Sequence, residues 1–165
     1  MEAPNSERQR IRRATGADLP SVGRLGAMLL RAHHEFDPDR FMRAGVDAER
    51  GYAAFLATQL NEADALVLVA DRDGAVVGYL YASVEPRSWK ELRERAGFIH
   101  DVLVDEGHRR SGLADELLDA AVDWLRGRGV PRVLLWTASR NEQAQRLFRR
   151  KGFRSTMIEM TLEIG

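Results

Sequence analysis

The period of the apolar residues changes along the chain, and each change marks an element. Val22, Leu25, Met28, Leu29 and Ala32 recur at helical spacing. Asp18 is placed to cap that helix, and Pro20 fits its first turn. A second helix is predicted from near Asp47, with Tyr52, Phe55, Leu56 and Leu60 on its inner face. From Ala65 the pattern becomes a continuous apolar run, Leu66 to Ala70, as in a strand buried on both faces. Asp73-Gly74 then predicts a hairpin turn into a partner strand, Val76 to Ala82. Pro86 to Ala96 reads as a short helical connection, and Phe98 to Val104 as the next strand.

Helical spacing returns with Leu113, Leu117, Leu118, Ala121, Trp124 and Leu125, and Gly127, Gly129 and Pro131 stop that helix. Val133 to Trp136 predicts another buried strand. Ser139 to Glu142 has the form of a capping box before a helix with Ala144, Leu147 and Phe148 inward, ending at Gly152. Phe153 to Ile164 reads as a last strand, and Arg10 to Ala14 as a short first one at the sheet edge. The predicted order is β-α-α-β-β-β-α-β-α-β, an α/β (α+β) mixed sheet with helices on it.

The length of 165 residues fits one domain. Residues 1–8 read as a polar tail and 9–165 as the domain. Lys+Arg and Asp+Glu number 25 each. That balance gives no footprint for nucleic acid. The chain has no cysteine, which excludes disulfides, thiolate catalysis and cysteine-bound zinc. His33, His34, Asp37 and Asp39 match no standard ligand spacing, so no metal is expected. Met1 to Arg13 has no apolar core of a secretory signal, and no run approaches a membrane span. A cytoplasmic location without membrane attachment is the expectation.

The chemistry concentrates between Gly107 and Leu118, Gly-His-Arg-Arg-Ser-Gly-Leu-Ala-Asp-Glu-Leu-Leu, where a strand passes through a basic loop into a helix. A helix start leaves backbone N–H groups unpaired and carries the positive end of the macrodipole. Gly112 removes a side chain where a ligand would approach, and Arg109 and Arg110 bring donors suited to phosphate. The loop reads as a diphosphate cradle.

The stretch Ile99 to Phe153 resembles the GNAT-type acyl-CoA N-acyltransferase superfamily. The first signature of that family is Arg/Gln-x-x-Gly-x-Gly/Ala, and the chain has Arg109-Arg110-Ser111-Gly112-Leu113-Ala114. The second is an Asn opening a helix, then Ala, an aromatic and Gly-Phe; the chain has Asn141, Ala144, Phe148 and Gly152-Phe153. The resemblance implies a single GNAT-like domain, with a mixed sheet of about six to seven strands and about four helices. It implies acetyl-CoA as cosubstrate. Backbone groups of Val102, Leu103 and Val104 would pair with the pantetheine arm. Those of Arg109, Arg110, Ser111, Gly112, Leu113, Ala114 and Asp115 would hold the pyrophosphate. Asn141 would touch the pantetheine, and Phe148 would lie beside the thioester sulfur. The implied reaction is direct attack of a primary amine on the thioester. The acceptor is a small-molecule or peptide amine, and a homodimer is compatible with the chain.

Two positions depart from the family pattern. Many relatives carry Tyr, the usual proton donor to the thiolate, where this chain has Phe148. Some carry a Glu base where it has Trp136. The candidates for base are therefore His100, Asp101 or water; on a regular strand His100 and Asp101 point to opposite faces. Asp37, Asp39, Asp47 and Glu85 hint at a cationic acceptor. The alternative to an acetyltransferase is a CoA-binding sensor without turnover.

Overall fold

The computed structural model describes residues 9–165; the tail expected at residues 1–8 lies outside them. Its strands are β1 (Gln9–Arg13), β2 (Ala65–Arg72), β3 (Ala75–Glu85), β4 (Ala96–Val104) and β5 (Val133–Leu135). Its helices are α1 (Leu19–Phe36), α2 (Ala48–Gln59), α3 (Leu113–Gly127) and α4 (Glu142–Arg150). One sheet runs in the order β1-β2-β3-β4-β5. The first four strands are antiparallel, and β5 joins β4 in parallel.

The unbroken apolar run of β2 is explained by cover on both faces. Leu66, Leu68 and Ala70 enter one core with Leu113, Leu117, Leu118, Ala121 and Leu125 of α3 and with Phe148. Val67 and Val69 enter a second with Val22, Leu25 and Leu56 of α1 and α2. The β2–β3 hairpin closes on Asp73 and Gly74, whose φ angles of 52° and 85° suit a two-residue turn between right-twisted strands. Helices α1 and α2 approach so closely that a Cβ on Gly26 would lie 2.0 Å from the Tyr52 ring. That close packing carries Tyr52 toward the sheet.

The structure corrects several expectations. The last strand is absent: residues 153–165 make no sheet pairing, and Met157, Ile158, Met160, Leu162 and Ile164 are exposed. Alternation can specify a strand, but only an available edge makes one. Among the described residues the sheet therefore has five strands, fewer than expected. Residues 86–96 contain no helix; Ser88 and Arg93 bridge them into a turn. Strand β5 is only half buried, because it ends the sheet. Phe55 is largely outward, with its ring edge on Tyr81. Asn141 rather than Ser139 caps α4, accepting the Ala144 N–H at 3.1 Å. Asp18 does not cap α1 through its side chain; its carboxylate binds Arg12 and the Thr15 N–H instead.

Candidate active site

Strands β3 and β4 fall out of step at one place. Tyr81 faces Asp101 and Ala82 faces Ile99, so His100 is the extra residue of a bulge. The bulge cancels the alternation expected of a regular strand. Asp101 accepts a hydrogen bond from Tyr52 of α2, and His100 stacks on Tyr81 at 4.7 Å, whose hydroxyl reaches Gln59 of α2 at 3.0 Å. Both candidate bases therefore lie toward the same helix and line the same cleft.

That cleft is made by a split in the sheet. Pairing of β4 with β5 ends at Ile99 and Leu135. Beyond it, β4 runs from His100 to Val104 without a strand on that side among the described residues. Val102, Leu103 and Val104 form one wall; Leu135, Trp136 and Asn141 face them, with Phe148 buried among the lining residues. An unpaired strand edge inside a cleft is a template for an extended ligand. Asn141 uses Oδ1 to cap α4, which leaves its amide donors for the cleft.

The cleft leads to the cradle. Arg110 and Gly112 both take left-handed backbone, with φ of 62° and 81°. The consecutive N–H groups from Arg110 to Asp115 find no backbone acceptor among the described residues, and Glu116 is the first to reach one, the Gly112 carbonyl at 3.0 Å. Such a curl of free donors at a helix start forms an anion nest. A Cβ on Gly112 would meet nothing within 4 Å, so the space before it is open to a ligand. The two arginines divide the work. Arg109 is turned inward: its Nε donates to the Val104 carbonyl at 3.2 Å, and its own N–H is taken by Glu106, so it ties the loop to β4. Arg110 makes no side-chain ion pair or hydrogen bond among the described residues and is available to an anion. The Ser111 hydroxyl donates to the His108 carbonyl, bracing the loop. The Asp115 carboxylate pairs with Arg150 at 3.3 Å, which fastens the start of α3 to the end of α4.

A second depression opens beside the cleft. Gly26, Leu29, Leu30, Phe41, Met42 and Tyr52 give it an apolar wall, and Asp101 is the one acid among its described lining residues. Leu29, His33 and Asp101 line both spaces. Burial pushes the Asp101 carboxyl up to about 7, because the charged form loses hydration. Tyr52 holds the carboxylate, and Tyr79 donates to the Tyr52 hydroxyl at 3.1 Å. His100 is differently placed. Its Nε2 lies 2.7 Å from the Ser83 hydroxyl and 3.4 Å from Glu85, and its ring also stacks on Phe98 at 4.9 Å. Burial lowers its pKa against the opposing pull of Glu85, favouring the neutral ring.

The acids read as hints of a cationic acceptor do not line this depression. Asp37 accepts from the N–H groups of Asp39 and Arg40, Asp47 pairs with Arg50, and Glu85 sits with Ser83 and His100. His33 and His34 each set Nδ1 on a backbone carbonyl, 2.9 Å from Leu29 and 3.0 Å from Phe41. Sequence reasoning missed Tyr52 and Tyr79 as partners of Asp101. Helical spacing marked Tyr52 as inward-facing, but nothing local said what it would meet.

A split sheet whose open strand edge leads to a helix start with free N–H groups defines the class of fold. Residues 27–153 match the acetyltransferase (GNAT) family, and the chain belongs to it. The uncharacterized N-acetyltransferase YhfO of Bacillus subtilis (strain 168) is 28% identical over 145 residues, 87% of this chain and 88% of its own length. A mycothiol acetyltransferase of Cellulomonas flavigena is 32% identical over 96 residues, and the match spans 28% of that protein's length and 56% of this chain. The solved aminoglycoside N-acetyltransferase AAC(6')-Iy, in complex with CoA, superposes with a TM-score of 0.77 at 18% identity over 99% of each chain. No helix among the described residues is long and apolar enough to cross a membrane.

Proposed function

We propose that the protein transfers an acetyl group from acetyl-CoA to the primary amine of a small molecule or peptide, with Asp101 as the base. The observation that carries this reading is the position of Asp101, on the wall shared by the β4–β5 cleft and the apolar depression. Acetyl-CoA would supply an activated acyl thioester. The donors from Arg110 to Asp115 would hold its diphosphate, with Arg110 adding charge. The β4 edge from Val102 to Val104 would pair with its amide-bearing arm, and Asn141 would donate to that arm.

Asp101 accepts the proton that an alkylammonium must lose before it can attack. A carboxyl titrating near 7 is well matched to that task. Tyr52 positions the carboxylate and favours its charged form. In the transfer, the amine nitrogen bonds to the acyl carbon and the carbon–sulfur bond breaks; the electron pair leaves on sulfur, and the second proton, shed by nitrogen as the amide forms, passes through solvent to that thiolate. His100, held by Ser83 and kept neutral, serves as cleft wall rather than base. The acceptor this site suits is a monoamine with an apolar body. Its ammonium would meet Asp101, and its body would lie on Leu29, Leu30, Phe41 and Met42.

One observation favours a sensor without turnover: Phe148 is buried at the cleft and has no proton to give a departing thiolate. Thiol release from acetyl-CoA across a panel of amines separates the readings. Release that depends on amine, strongest with apolar monoamines, supports the transferase. CoA binding by calorimetry with no release across the panel overturns it.

A further inference from the structure

We infer that His33 selects the acceptor: the amine taken at this site carries a hydroxyl or N–H close to its amino group, and His33 Nε2 accepts a hydrogen bond from it. The inference rests on the acceptor site proposed above. Leu29, His33 and Asp101 are shared by the linings of the β4–β5 cleft and the apolar depression, so a carboxyl and an imidazole meet at the junction. The His33 Nδ1 lies 2.9 Å from the Leu29 carbonyl. A carbonyl only accepts, so Nδ1 carries the hydrogen, and in the neutral ring Nε2 is a bare acceptor. Nε2 has no hydrogen-bond partner among the described residues and is not sealed from the adjoining space. Phe41 and Phe36 hold the ring by edge contacts, with centroids 4.9 and 6.0 Å away. Turning Nε2 away from the junction would break the Nδ1 bond to Leu29.

The adjacent His34 gives the contrast. Its Nδ1 lies 3.0 Å from the Phe41 carbonyl, which pins the α1–α2 connection to α1, and it lines neither space. It thereby sets the Phe41 ring against His33. One histidine of the pair builds the frame; the other keeps a lone pair for a ligand. That lone pair decides what fits. An apolar amine with no other donor would strip water from Nε2 and return nothing, and an unmet buried acceptor is penalised. An amine with a nearby hydroxyl or N–H gives Asp101 its ammonium and Nε2 its hydrogen. Its apolar body still lies on Leu30, Phe41 and Met42. The neutral ring also spares the ammonium a like charge. A vicinal amino alcohol and the N-terminal residue of a peptide share this chemistry, because in both the second donor lies two carbons from the amine.

Calorimetry on the full chain with CoA present tests this without requiring turnover. Leucinol or leucinamide is expected to bind about 5- to 10-fold more tightly than the deoxy analogue of leucinol, which has the same body and amine but no second donor. The tighter of the two tells an amino alcohol from a peptide N-terminus. His33→Leu should erase the preference, and His33→Gln, which keeps an acceptor, should restore part of it. Nitrogen NMR of histidine-labelled protein needs no variant: the His33 Nε2 resonance should move with the preferred amine and stay with the deoxy analogue. Wild-type protein that binds all three amines equally, or none of them, would overturn the inference. So would a preference that survives His33→Leu, or a nitrogen shift confined to His100. A preference that runs through His33 without thiol release would leave the inference standing and overturn acyl transfer.

Discussion

Tyr52 donates its phenolic proton to the Asp101 carboxylate across the α2–β4 boundary, and Tyr79 supports it from β3 at 3.1 Å. A chain of two hydroxyls thus ends on one acid at the junction of two pockets. Gly26 permits it, since any side chain there would collide with the Tyr52 ring. The catalytic proposal therefore depends on helix packing as much as on strand chemistry.

Asp101→Asn is expected to lower kcat/KM by about 10²–10⁴, the usual contribution of a positioned base. The wild-type rate should rise with pH through about 7, and the variant should lose that limb. His100→Gln should keep it. Stability moves the other way. A carboxyl titrating near 7 when folded and near 3.8 when unfolded binds more protons in the fold between those values. Wild-type stability should fall as pH rises through that window, and Asp101→Asn should flatten the decline. Thermal melts from about pH 4 to about pH 8 check the sign.

Tyr52→Phe removes a hydrogen bond that favours ionised Asp101. Hydrogen bonds to charged groups contribute about 1.5–3 kcal/mol, so the limb should move up by about one to two pH units. Activity lost near neutrality should largely return about two pH units higher. A uniform loss at every pH would assign Tyr52 to packing alone.

Gly112→Glu should abolish CoA binding while the protein stays folded. The backbone there has φ of 81°, which costs a non-glycine residue about 1–2 kcal/mol. The melting temperature should therefore drop by about 2–8 °C. The added carboxylate would stand in the open space before the free N–H groups. Unchanged affinity by calorimetry, in a folded variant, would remove the diphosphate from this loop.

Asp18→Asn should destabilise the protein by about 2 kcal/mol at neutral pH. Asp18 accepts from Arg12 at 2.8 and 2.9 Å and from the Thr15 N–H at 2.7 Å, and these hold its pKa at about 2, below the ordinary 3.8. A depressed acid stabilises the fold above its unfolded pKa, and that stability is lost as pH falls through the folded value. The difference between variant and wild type should shrink from about pH 4 to about pH 2 in denaturant titrations.

Much of the candidate site's local geometry was legible because its parts are local. The cradle is a run of residues whose own backbone makes the anion nest, and Asn141 needs only its helix to be a cap. Asp101 was legible as an acid near the loop. Its placement beside His100 was not, because a bulge arises from the pairing of two strands, and β4 alone does not announce it. That Asp37, Asp39, Asp47 and Glu85 do not line the depression beside Asp101 was hidden for a related reason. Charge counts do not say which acids are already taken by a neighbouring N–H or arginine.

The last segment shows the division most plainly. The alternation from Ile158 to Ile164 is a property of the chain by itself, as are the two-sided burial of β2, the Asp73-Gly74 turn and the Gly112 helix start. Each depends on residues within one turn or one strand. Whether a strand finds an edge, whether a tyrosine finds a carboxylate, and where the β4–β5 split opens depend on contacts between distant segments. Those relationships exist only once α1, α2 and the sheet are packed, and they decided which acid faces the pockets and which strand is left without a partner.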